Sequence, residues 1–178
     1  MKRYVAFLRG VNVGGKNTIP MKELKKRFEE LGFKEVKTYL NSGNALFSSS
    51  DSAERCTDKI ESMMRSCFGF AIPVLCMPKE ALEDILQNAP AWWGGADKEI
   101  YDNLIFIMPP AAFSDVLHEI GEPKEGLERI EHYRNAIFWS FDRKEYRKTN
   151  WWSKTASARI GGKLTIRTAN TVRKLAGM

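Results

Sequence analysis

Residues 4–19 read YVAFLRGVNVGGKNTI. The apolar run Tyr4–Leu8 is short, partly aromatic or β-branched, and closes on a glycine, which predicts a buried strand. Behind it Arg9, Gly10, Asn12, Gly14, Gly15, Lys16 and Asn17 crowd flexible backbone together with two cations and two amides. Glycines let successive backbone N–H groups turn toward open space, where they can line a concave anion site. The stretch comes close to a nucleotide-binding P-loop over Gly10, Gly15 and Lys16. It departs where Asn17 stands in place of a magnesium-binding hydroxyl and where Pro20 removes a backbone N–H. Pro20 suits the first turn of a helix instead. The expectation is a strand–loop–helix unit whose loop, through Arg9, Asn12, Lys16 and Asn17, contacts a ligand without P-loop chemistry.

Working outward, residues 21–31 place Met21, Leu24, Phe28 and Leu31 at helical spacing, and Gly32 ends that helix. Residues 35–40 and 45–48 read as strands, joined by Asn41-Ser42-Gly43-Asn44, a turn rich in amides and hydroxyls. Asn41, Ser42 and Asn44 are a second group of candidate ligand contacts. A helix over 52–68 and a strand over 71–77 follow, with Pro73 placing that strand at an edge or marking a strand end. The order is βαββαβ, the split pattern of a ferredoxin-like sandwich.

A helix over 79–88 leads into APAWWGGADKE (89–99), where Pro90, Gly94 and Gly95 interrupt regular structure and Trp92-Trp93 pins the connection onto one half. A strand at 103–108, a helix at 111–120 and strands at 127–133 and 136–141 come next. A helix over about 143–158, a strand at 164–167 and a last helix at 169–176 complete a second βαββαβ order. The sequence therefore predicts an α+β fold of two ferredoxin-like halves with antiparallel sheets, plus a C-terminal helix. Its divisions are an N-terminal half at 1–78, a connecting helix and linker at 79–102, and a C-terminal half at 103–178.

Composition is that of a globular chain: 43% apolar and 28% charged residues over 178 positions. That length buries roughly 70% of the unfolded surface without disulfide or metal support. No apolar stretch reaches the length of a membrane span, and the start MKRYVAFLRG is too short in apolar residues for a signal peptide, so a cytoplasmic protein with no membrane partner is expected. Cys56, Cys67 and Cys76 lack zinc-type spacing and only His118 and His132 accompany them, so no metal site is expected.

Charge is unevenly placed. Residues 143–178 carry ten Lys or Arg against the single acid Glu145, a net +9, whereas the whole chain is +6 and the rest therefore −3. A mildly acidic body with a strongly basic end points to an acidic partner or a charged groove. Within that end, Arg147, Lys148, Trp151, Trp152 and Lys154 combine cations with rings, the arrangement that tracks a phosphate backbone and stacks bases.

LRGVNVGGKN (8–17), YLNSGNALF (39–47) and TIRTANTVRKL (165–175) together resemble the bacterial family known as domain of unknown function 1697. The resemblance covers essentially the whole chain and implies a two-part α+β fold, with no established activity, cofactor or substrate. Members commonly end in Thr-Arg-Asn-Trp-Asn-Thr-Val. Here Arg167, Asn170, Thr171 and Val172 match, while Thr168 and Ala169 replace the Asn-Trp pair. Arg167 and Asn170 join the candidate ligand contacts. Three functions stay open: a binding module for a phosphate-bearing small molecule or nucleic acid, a small-molecule enzyme with a nucleotide or sugar-phosphate pocket, and a protein-interaction module. No cofactor is identified and no nucleophile signature appears.

Overall fold

Alternating short apolar runs and amphipathic helices give the layered arrangement that the element order implies. The computed structural model describes residues 1–178, and its contacts divide the chain into two units, Met1–Glu83 and Asp84–Met178. No helix is long and apolar enough to cross a membrane.

The first unit contains β1 (Lys2–Leu8), α1 (Met21–Glu30), β2 (Lys34–Tyr39), β3 (Asn44–Ser49), α2 (Ala53–Phe68) and β4 (Val74–Pro78). Its sheet runs β2-β3-β1-β4, antiparallel throughout, with Tyr4 opposite Phe47 and Ala6 opposite both Ala45 and Cys76. β1 is central and β4 lies at an edge with Pro73 just before it, where a missing N–H breaks no ladder bond. Tyr4, Ala6 and Leu8 alternate onto the helix face and pack with Leu24 and Phe28 of α1 and Ile60 and Met64 of α2. Phe33 stacks on Phe47 with ring centroids 4.3 Å apart. α2 is capped at its start by the Ser52 side chain, which accepts from Arg55 N, and closed by left-handed Gly69. The edge strand β2 shifts register against β3 between Lys34 and Lys37, and Glu35 within that bulge has φ +50°.

α3 (Lys79–Gln87) crosses the division between the units. The second unit continues with β5 (Ile100–Ile107), α4 (Phe113–Ile120), β6 (Glu128–Tyr133), β7 (Ala136–Asp142), α5 (Trp151–Ser157), β8 (Leu164–Thr168) and α6 (Ala169–Ala176). Its sheet, β6-β7-β5-β8, repeats the order of the first and is again fully antiparallel. Both sheets are thus consistent with ferredoxin-like halves. Ile105, Ile107, Ile137 and Trp139 face Val116 and Ile120 of α4 and Trp151 of α5.

The continuous helix expected over 143–158 is not formed. A 3-10 turn at Tyr146–Lys148 gives way to extended Thr149, and α5 starts only at Trp151. The cause is a side chain far away in sequence. The carboxylate of Glu128, on β6, accepts from the backbone N–H groups of Asn150 (2.6 Å) and Trp151 (3.3 Å), so neither continues the preceding turn. Thr149 helps: its hydroxyl donates to Tyr146 O and accepts from Trp152 N.

The tryptophan pair at 92–93 divides its labour. Trp93 is buried in the second unit, donating from Nε1 to Asn103 O at 2.7 Å and meeting Phe138 edge to face. Arg173 lies over the Trp93 ring and donates to Gly94 O, fastening the linker to α6. Trp92 is only half-buried.

Candidate functional site

In the first unit, the loop after β1 and the β2–β3 turn are joined. Asn12 Nδ2 donates to Asn41 O (2.8 Å) and Ile19 O (3.0 Å), while Asn12 Oδ1 accepts from Ile19 N (2.7 Å). Asn17 Nδ2 donates to Gly10 O, and Leu8 N donates to Gly43 O. Asn44 is buried and its amide donates to Tyr39 O and Ser42 Oγ. Backbone at positive φ makes this path: Gly10, Asn12, Gly14, Gly15 and Asn17 on one side, Leu40 and Gly43 on the other. Asn12, Asn17 and Asn44 therefore spend their amides inside the junction, and the residues this region exposes include Val13, Gly14, Gly15, Lys16, Thr18, Leu40 and Asn41. Val13 and Lys16 pair across a tight turn, and α1 begins only at Met21, so Gly10–Lys16 does not lead into a helix N-terminus as a P-loop must.

Gly43 is the tightest point of this junction. A Cβ there would sit 2.9 Å from Leu8 Cβ and 3.0 Å from Leu8 O, on backbone at φ +75°. Gly43→Ala should cost about 2 kcal/mol or more, combining left-handed strain with overlap against β1. Chemical denaturation should show the lowered midpoint; an unchanged midpoint would mean the two loops are not locked together.

The second unit carries the basic end. Trp151 is fully buried, packs near Trp139 and donates from Nε1 to Gly121 O at 3.0 Å, which removes it from any stacking surface. Trp152 is 41% exposed and sits edge-on to Tyr146 (4.8 Å) and Phe141 (5.6 Å). Arg147 lies over the Tyr146 ring and donates to its hydroxyl. Lys148 pairs with Glu145 at 2.5 Å, and Lys154 donates to Ile120 O, so both ammonium groups are positioned rather than loose. Arg143 adds a further cation, over Tyr101 at 4.4 Å.

Glu128 underlies this surface and was not among the residues that composition or spacing singled out. It is only 6% exposed, and besides Asn150 N and Trp151 N it accepts from Trp139 Nε1 (3.0 Å) and Lys124 N (2.9 Å). One carboxylate thus ties β6, β7 and the start of α5 together, and the negative charge lies at that helix's positive end. The signal available in sequence was a lone acid on an otherwise helix-facing strand position. A second buried pair, Ser140 donating to Asp102, joins β7 to β5.

Arg167 is buried on β8, donating to Thr165 Oγ1 (3.0 Å) and Ile166 O (2.9 Å). Burial pushes its guanidinium down to about 10, still charged at neutral pH. Asn170, by contrast, is exposed and lines a cavity of about 600 Å³ with Thr168, Gly95, Lys98, Tyr101 and Arg143. Burial pushes the Cys76 thiol up to about 12, which leaves it a packing group rather than a nucleophile. His132 stacks on Phe113 and His118 is exposed on α4.

The family model described as a protein of unknown function (DUF1697) matches residues 1–138. The basic stretch after β7 lies beyond the matched residues. A solved structure, that of conserved bacterial protein SP0830 from Streptococcus pneumoniae, is similar over 99% of this chain and 97% of that one, with a TM-score of 0.86 and 29% sequence identity. No curated protein matches this chain.

Proposed function

This chain belongs to the DUF1697 family; since that membership assigns no activity, we propose a function from its own surface: a cytoplasmic binding module for a phosphate-bearing ligand, single-stranded nucleic acid above all. The observation that carries the reading is Trp152, exposed at the edge of an aromatic cluster and followed or preceded within a few residues by Arg147, Lys148 and Lys154. An indole face beside cations serves an unpaired base and its phosphates together. In this reading Trp152 stacks the base, while Arg147, Lys148 and Lys154 take the phosphates. Three free cysteines, two of them buried, accord with a reducing compartment.

Fluorescence anisotropy of labelled single- and double-stranded oligonucleotides across a salt series tests the module. Binding should weaken steeply with salt, and replacing Arg147 and Lys148 together with alanine should flatten the log–log slope by roughly 1.4, at about 0.7 per phosphate contact on a single strand. Absence of binding at low salt, or a slope unmoved by the double replacement, would overturn it. A second reading, a small-molecule enzyme with a nucleotide or sugar-phosphate pocket, draws on the cavity lined by Asn170, Lys98 and Arg143. It becomes the better account if mononucleotides bind and oligonucleotides do not.

A further inference from the structure

A second cleft, of about 480 Å³, opens beside the Trp152 surface at the end of the sheet of the second unit. Its apolar walls are Trp92, Ile100, Leu127 and Phe141, and Arg129, Asp142 and Glu145 supply its polar groups. Glu128 and Ser140 also border it, but the first is committed to its four N–H donors and the second to Asp102. The cleft is continuous with the cationic strip in two ways. The Phe141 ring that lines it meets Trp152, and Glu145 holds Lys148. Asp142 is itself fixed, accepting from Lys144 N at 2.7 Å.

We propose that this cleft takes the base of a nucleotide, guanine in preference to the others. The nucleotide class rests on the binding-module reading above; the base preference comes from the cleft. Its volume falls in the range of small-molecule pockets, about 300–1,000 Å³, and rings with a few polar groups suit a flat heterocycle. Carboxylates inside the cleft repel phosphate, so the phosphates stay outside on Arg147 and Lys148 and the base enters. A carboxylate accepts only, and guanine presents two adjacent donors to it, N1–H and the N2 amine. Its O6 and N7 accept from a guanidinium, the role open to Arg129. Uracil and thymine flank a single donor with two acceptors, and adenine has no acceptor at the O6 position. Both match the set poorly.

Calorimetric titration of the full chain with guanosine, inosine and uridine monophosphates decides the matter. Guanosine monophosphate should bind at least about tenfold more tightly than uridine monophosphate, the worth of one good bidentate pair. Inosine monophosphate, which lacks the N2 amine, should fall between. Asp142→Asn should erase the preference, and Arg129→Met, on an exposed side chain, should reduce it with the thermal transition unmoved. Equal affinity for the three nucleotides overturns the inference even if a variant fails to fold, because that comparison uses the unaltered chain. The two readings fail separately. Labelled oligouridine that binds with a steep salt slope, beside nucleotides that show no preference, leaves the module standing and removes the cleft. Guanosine monophosphate binding without any oligonucleotide binding removes the module and leaves the cleft.

Discussion

Glu128→Ala should lower the unfolding free energy by about 3–5 kcal/mol, the range met when a buried charged group that partners several others is deleted. Four N–H donors lose their acceptor at once: the Trp139 indole and the backbone groups of Lys124, Asn150 and Trp151. A domain of ordinary stability has only about 5–15 kcal/mol to lose, so the variant should lie close to unfolding at growth temperature. Urea denaturation checks this through a large fall in midpoint at constant m-value. Glu128→Gln should fall between, because its carbonyl oxygen still accepts while its amide meets N–H groups head on. A loss below about 1 kcal/mol for the alanine variant would show that water or a rearranged Asn150 satisfies these donors.

Adjacent tryptophans should behave as opposites. Trp151→Ala should cost about 3–5 kcal/mol, as expected for emptying a fully buried indole site. Trp152→Ala should cost only about 1–2 kcal/mol, chiefly its T-shaped contacts with Tyr146 and Phe141, because the residue is already 41% exposed. In oligonucleotide binding the order reverses: the Trp152 variant should lose roughly 1–3 kcal/mol per stacked base. The two measurements together separate a packing role from a recognition role. Equal stability losses would place Trp152 in the core and remove the stacking surface.

The order of strands and helices was legible because each element carries its own period and its own stop. Met21, Leu24 and Phe28 mark α1, and the glycine after it ends the turn. The interruption before α5 was not legible, since the group that imposes it stands on β6, more than twenty residues earlier in the chain. The fates of Trp151 and Trp152, and of Trp92 and Trp93, were hidden for a related reason. Neighbouring positions on a one- or two-turn element point to different sides, and only tertiary packing decides which side is inside. The candidate loops show the opposite balance. Their glycines and asparagines announced unusual backbone at 9–17 and 41–44, and positive φ angles are found there. What the letters did not carry was the pairing of Asn12 with Asn41, which turns polar groups that look like ligand contacts into internal fasteners.

The bulge in β2 bears on how the molecule behaves in a crowded solution. An exposed edge strand is a template on which a second chain can extend the sheet, the first step toward aggregates. Between Lys34 and Lys37 the ladder loses its even spacing, and Glu35 is turned out of strand geometry while accepting from Ser48 Oγ and, through its carbonyl, from Arg3. A visiting strand would meet broken spacing and the exposed charges of Lys34, Glu35 and Lys37 instead of a flat row of donors and acceptors. The same irregularity that twists this edge therefore guards the sheet against being lengthened by a neighbour.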